Sequence, residues 1–118
     1  MRRRSLLLWG LLLAAATAWG APPPAELARI ERLIQFVEAQ KGVYFVRNGS
    51  DYSPQDAAKF LRSKFSKMGE HVNTAQQFIE QIASKSSTSG EPYLIRFDDG
   101  RVVPAARLLG EELKRMDR

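Results

Sequence analysis

Apolar residues first settle into a helical period at Leu27, Ile30, Leu33, Ile34 and Val37, with Glu26, Arg29, Glu31, Arg32 and Glu38 elsewhere on the wheel. That spacing predicts an amphipathic helix over 25–40, with Gly42 as its stop. Val43-Tyr44-Phe45-Val46 is β-branched and aromatic throughout and is closed by Arg47-Asn48-Gly49, which reads as a strand running into a turn. Ser53-Pro54-Gln55-Asp56 starts a second helix: the serine caps, the proline fits the first helical position, and the aspartate lies near the positive helix end. Ala57, Leu61, Lys64, Phe65 and Met68 run down one side of it, Phe60 widens the stripe, Lys59, Arg62 and Ser66 fall on another face, and Gly69 ends it. Thr74 with Gln77 forms a capping box for a third helix that buries Ala75, Phe78, Ile79, Ile82 and Ala83.

The period then breaks at Ser84-Lys85-Ser86-Ser87-Thr88-Ser89-Gly90. Serine and threonine compete with the backbone for hydrogen bonds, so this stretch is a loop. Tyr93-Leu94-Ile95-Arg96-Phe97 follows as a strand, and Asp98-Asp99-Gly100 turns it into Arg101-Val102-Val103 as a hairpin. Pro104 starts a last helix carrying Leu108, Leu109, Leu113 and Met116, which Gly110 weakens by about 1 kcal/mol relative to alanine. The fold class is α+β: a single domain over 25–118 in which about four helices cover one small antiparallel sheet of about three short strands. A lone hairpin is only marginally stable, so Val43–Arg47 is expected to pair with Tyr93–Phe97.

The N-terminus changes the charge argument. Arg2-Arg3-Arg4 precedes the apolar run Leu6–Ala16 and the small residues of Ala16-Thr17-Ala18 and Ala18-Trp19-Gly20, the layout of a signal peptide over 1–20 with cleavage after Ala18 or Gly20. The apolar run of 11 residues falls short of the roughly 20 that cross a bilayer, so no transmembrane anchor is expected after cleavage. Ala21-Pro22-Pro23-Pro24 is a stiff spacer. The net charge of +5 includes three arginines of the leader; without them it is 15 − 13 = +2. That balance, together with a periplasmic location, argues against nucleic acid as a partner. The chain has no cysteine, which rules out thiol catalysis and cysteine-ligated metal and leaves stability to packing, caps and turns.

Phe45-Val46-Arg47-Asn48-Gly49, Tyr52, Ala57-Ala58 with Leu61-Arg62 and Lys64, Thr74-Ala75 with Phe78-Ile79, Ala83 to Gly90, and Pro92 to Arg96 together resemble domain-of-unknown-function family 5329. That family consists of small exported proteins of Gram-negative bacteria. The resemblance spans nearly the whole chain after the leader and implies a periplasmic single domain; it implies no activity. Members of the family often carry cysteines at the places of Val43 and Phe97, and a bridge between them would imply that the two strands pair. They also often have a histidine at the place of Phe60 and a tryptophan at that of Leu108, so any catalysis by that histidine would be missing here.

Few residues carry candidate chemistry. His71 is the only histidine and lies in a polar link between two helices, and no nucleophile elbow surrounds any serine. Asp98-Asp99 before Gly100 reads as a turn rather than as a catalytic acid pair or a calcium loop. No metal site and no cofactor is expected. Lys59, Arg62, Lys64 and Lys67 read as a solvated helix face, with Arg62 a candidate to turn inward toward the loops.

The candidate binding surface is Arg47, Asn48 and Arg96, which strand pairing is expected to bring together, with Ser86, Ser87, Ser89, Gly90, Tyr93 and Arg62 around them. Arginine forks and clustered NH groups suit a carboxylate, a phosphate or a peptide end. The competing account is an internal network that ties the serine loop down. The function expected is that of a non-catalytic periplasmic binding or interaction module, partnered by an envelope protein or a small anionic ligand. The alternatives are a small envelope hydrolase or accessory using Ser84–Gly90, and a purely structural or stress-related envelope protein.

Overall fold

The structure is a computed structural model that describes residues 22–118; the leader expected over 1–20 lies outside the described residues. Helix α1 (Pro24–Glu38) admits a proline in its first turn and buries Ile30, Leu33, Ile34 and Val37, the residues that share one face at its period. Strand β1 (Val43–Arg47) follows. The sequence predicts a turn after Arg47, and the chain there does more than turn. Asn48 and Gly49 both take positive φ, 50° and 79°, the combination of a two-residue hairpin turn, and a further strand β2 (Ser50–Tyr52) pairs back on β1. The sheet therefore has four strands instead of about three.

Helix α2 (Pro54–Met68) starts where the sequence places it, with Ser53 Oγ accepting from the Asp56 amide at 3.1 Å. Helix α3 (Ala75–Gln81) starts with Thr74 Oγ1 accepting from the Gln77 amide at 3.0 Å, while Gln77 Oε1 reaches back to the Asn73 amide at 2.7 Å. Strands β3 (Leu94–Phe97) and β4 (Val102–Pro104) form the second hairpin, and helix α4 (Ala105–Met116) closes the chain. No helix among the described residues is long and apolar enough to cross a membrane.

The sheet is antiparallel in the order β2-β1-β3-β4. β1 and β3 pair as expected, with Val43 opposite Phe97, Phe45 opposite Ile95 and Val46 opposite Leu94. Alternation puts Val43, Phe45 and Ile95 on the face that joins Leu33, Val37, Phe78, Ile82 and Leu109 in the core. The other face carries Tyr44 and Val102, each about half exposed.

Candidate functional site

Phe60, Ser63, Lys64, Lys67 and Met68 recur at helical spacing, so one side of α2 presents them together. Opposite stand Ser86, Ser87 and Thr88, and the base is made by Arg47 at the end of β1 and Tyr93 just before β3; the space between is a cleft of about 180 Å³. Behind it a tight apolar cavity of about 30 Å³, lined by Phe45, Ala57, Leu61 and Leu109 among others, shares Arg47, Phe60 and Tyr93. Among the described residues, no aspartate or glutamate lines the cleft.

The serine loop forming one wall is ordered by its own backbone. Lys85 and Pro92 bridge, the Ser86 amide donates to Glu91 O at 2.9 Å, and the Gly90 amide to Ser86 O at 2.9 Å, with Gly90 at φ 75°. Ser86 is 2% exposed. Its Oγ accepts from the amides of Thr88 and Ser89 at 3.3 and 3.4 Å and shares a hydrogen bond with Thr88 Oγ1 at 3.0 Å. Asn48 fixes this loop to the first hairpin: its Nδ2 donates to Ser86 Oγ at 3.3 Å, and its Oδ1 accepts from Ser89 Oγ at 2.6 Å. Asn48, Ser86 and Ser89 are thus engaged with one another, while Ser87 is exposed at the mouth with its Oγ 3.8 Å from Met68 Sδ.

Lys64 is 6% exposed, and a buried ammonium needs compensation. Its Nζ donates to Lys85 O at 2.8 Å and to Tyr93 Oη at 2.9 Å, both neutral acceptors. Burial, and after it the positive charge of Arg47, holds the Lys64 amine below the ordinary lysine value. Burial also raises the Tyr93 phenol, against the lowering influence of Arg47. Arg47 itself lies 4.6 Å over the Phe60 ring and donates from Nη1 to Tyr52 Oη at 3.0 Å, and its buried Nε has no partner. None of the ion pairs among the described residues includes Arg47, Lys64 or Lys67.

Of the expected members, Asn48, Ser89 and Gly90 shape the serine loop without lining the cleft, and two more stand elsewhere. Arg62 reaches away from the serine loop to Glu31 on α1, at 2.6 and 2.5 Å. Arg96 pairs with Asp51 at 2.9 and 2.6 Å and lies 5.3 Å from the Tyr44 ring, on the sheet face opposite Arg47. The register explains this: Arg96 pairs with Tyr44, three positions from Arg47, and an odd offset along a strand changes face. The basic side of α2 is not uniformly solvated either, because Lys64 is buried while Lys67 is exposed. The signal for Lys64 was its place in the stripe Ala57, Leu61, Lys64, Phe65, where a charge interrupts an apolar face. His71 does not line the cleft, and no hydrogen bond joins it to Ser86, Ser87 or Ser89 among the described residues.

Fold and cleft together define a small two-layer α+β domain with a basic, hydroxyl-lined recess at one end of its sheet. The chain belongs to the family of unknown function DUF5329, whose pattern matches residues 24–117. It is similar to the uncharacterised protein YfeK of Salmonella typhimurium strain LT2, with 37% identity over 82 residues, 70% of this chain and 68% of that protein. No solved structure matches it significantly.

Proposed function

We propose that the protein is an exported, non-catalytic binding module of the cell envelope that holds a small anionic group between α2 and the serine loop. The layout of residues 1–20 supports export to the periplasm. The observation that carries the binding reading is Lys64, a buried cation beside a second cation, Arg47, with no carboxylate at either. An unpaired buried charge is destabilising. A bound anion would remove that penalty, and the hydroxyls of Ser63, Ser87 and Thr88 line the same space.

A second reading rests on the bond from Lys64 Nζ to Lys85 O, in which the lysine serves only to tie down the serine loop. Calorimetric titration of the purified protein with small anions separates the two. Saturable binding lost in both Lys64→Met and Lys67→Gln is expected. An absence of binding, with Lys64→Met strongly destabilised, would establish the structural reading instead. Fractionation of cells expressing the full chain tests the location: recovery of a processed chain beginning after Ala18 or Gly20 in the periplasm is expected, and an unprocessed cytoplasmic chain would refute it.

A further inference from the structure

We infer that the anion is a tetrahedral dianion of the phosphate-monoester type, seated among Arg47, Lys64 and Lys67, with its organic substituent at the Met68 rim. This rests on the anion-binding reading above and narrows it from anions in general to one class.

Charge is the first argument. Three cations line one cleft that no acidic residue among the described residues lines. A monocarboxylate would leave two of those charges uncompensated, and a dianion leaves one. The groups around Lys64 reinforce this: Lys67 and Phe60 on its own helix, Arg47 on β1, the Lys85 carbonyl and Ser86 from the loop, and Tyr93 before β3, with Tyr52 bonded to Arg47. The cations there repel one another, which is why the charge of Arg47 adds to burial in lowering Lys64.

Geometry is the second argument. A carboxylate is planar and is best held by the two parallel NH groups of a free arginine fork. Arg47 offers no such fork, since its Nη1 is committed to Tyr52, its plane lies over Phe60, and its Nε is buried. What the cleft offers is point donors on three sides: Lys64, Lys67 and Ser63 from α2, Arg47 from β1, and Ser87 and Thr88 from the loop. Donors spread in three dimensions match oxygens arranged tetrahedrally, and lysine ammoniums serve phosphate as point charges. Met68, 51% exposed at the mouth, gives a substituent on the phosphate an apolar surface.

The test is a titration of the purified protein near neutral pH with sulfate, inorganic phosphate, phenyl phosphate and acetate, the ionic strength being held constant with sodium chloride. Sulfate and phosphate are expected to bind about tenfold or more tighter than acetate. Phenyl phosphate is expected to bind tighter than inorganic phosphate, by a margin that shrinks in Met68→Ala. Lys67→Gln, at an exposed position, is expected to weaken the dianions more than acetate. Acetate binding as tightly as sulfate would overturn the dianion assignment while leaving the anion-binding reading intact; binding of none of the four would overturn both. Two sources could present this group, a soluble monoester or a membrane lipid. Sedimentation with phosphatidic acid vesicles but not with phosphatidylglycerol vesicles, sensitive to Lys67→Gln, would identify the lipid headgroup. Binding of phenyl phosphate without vesicle binding would identify the soluble ester.

Discussion

Replacing Asn48 tests whether the hairpin turn and the serine loop are held by one residue. Its backbone sits at φ 50°, a region that asparagine tolerates and alanine occupies at roughly 1 kcal/mol or more. Its side chain makes one short bond, 2.6 Å from Ser89 Oγ, and one long bond, 3.3 Å to Ser86 Oγ. Taking about 1 kcal/mol for the short bond and about 0.5 for the long one, Asn48→Gly loses roughly 1.5 kcal/mol. The added freedom of the unfolded chain brings the total near 2. Asn48→Ala keeps that freedom low but adds the left-handed strain, so it should lie at or below the glycine variant. For a domain of about 100 residues this is a fall in Tm of roughly 8–16 °C. Urea unfolding followed by far-UV circular dichroism measures it, with a common m-value as the check that only stability has changed. A double-mutant cycle with Ser89→Ala should show coupling of about 1 kcal/mol, because both variants remove the same short bond. The Gly90 amide, bonded to Ser86 O at 2.9 Å, should exchange with solvent faster in Asn48→Gly. Anion affinity should fall too, although Asn48 does not line the cleft. Stability of Asn48→Gly within about 0.5 kcal/mol of wild type, with no coupling to Ser89, would refute the idea that this side chain fastens the loop.

Lys64→Met removes a buried charge and two hydrogen bonds; these oppose one another at roughly 1–2 kcal/mol each, so the net change at pH 7 should stay within about 1.5 kcal/mol. Because the folded amine lies below the ordinary value of 10.5, the unfolded chain binds more protons in the window between, and wild-type stability gains on the variant as pH rises toward 10.5. A pH-independent loss above about 3 kcal/mol would contradict this. Glu26 accepts from the Ala75 amide at 2.9 Å and from Arg29 at 2.7 Å, and in that order the two lower its carboxyl below 4.5. Its stabilisation is present above 4.5 and lost as pH falls through the folded value, so Glu26→Gln should cost about 1 kcal/mol at pH 7, with the gap closing in acid; equal gaps at pH 7 and in acid would speak against a stabilising Glu26–Ala75 bond. Val43 and Phe97 stand directly opposite, within disulfide reach for paired strands. The double cysteine variant should therefore lose its free thiols on oxidation as a monomer, and persistence of both thiols would show a different register.

What the sequence made legible was local. The Ser53 and Thr74 caps, the first helix, expected over 25–40 and found over Pro24–Glu38, and the Asp98–Gly100 hairpin are each settled by neighbours a few positions apart. Strand β2 was not legible, because Ser50-Asp51-Tyr52 has no apolar run; the Asn48-Gly49 turn and pairing to β1 hold it. The candidate site was half legible. Arg47, Asn48, Ser86, Ser87, Ser89 and Tyr93 do gather at one end of the sheet, since that follows from pairing β1 with β3. Gly90 serves that loop through its positive φ. Arg62 and Arg96 could not be excluded without the packing of α1 on α2 or the strand register, both of which are long-range.

The two readings of the loop, fastening and binding, need different chemistry, and the structure keeps that chemistry on different residues. Fastening is carried mainly by neutral groups: the Asn48 amide, the Ser86 and Ser89 hydroxyls and the backbone bonds of Ser84, Ser86 and Gly90. Even Lys85 O and Tyr93 Oη ask only for a donor, which need not be charged. Elsewhere in the molecule Arg29, Arg62, Arg96, Arg101, Arg107 and Arg115 each stand against a carboxylate, several of them well exposed, where such a pair adds little to stability. In the cleft, neither buried Lys64 nor half-buried Arg47 has such a partner among the described residues. Exposed cations such as Lys59 and Lys67 also stand without a carboxylate, but water solvates them; Lys64, 6% exposed, has no such relief, and with half-buried Arg47 beside it under a wall of hydroxyls it is the charge that the proposed anion would answer.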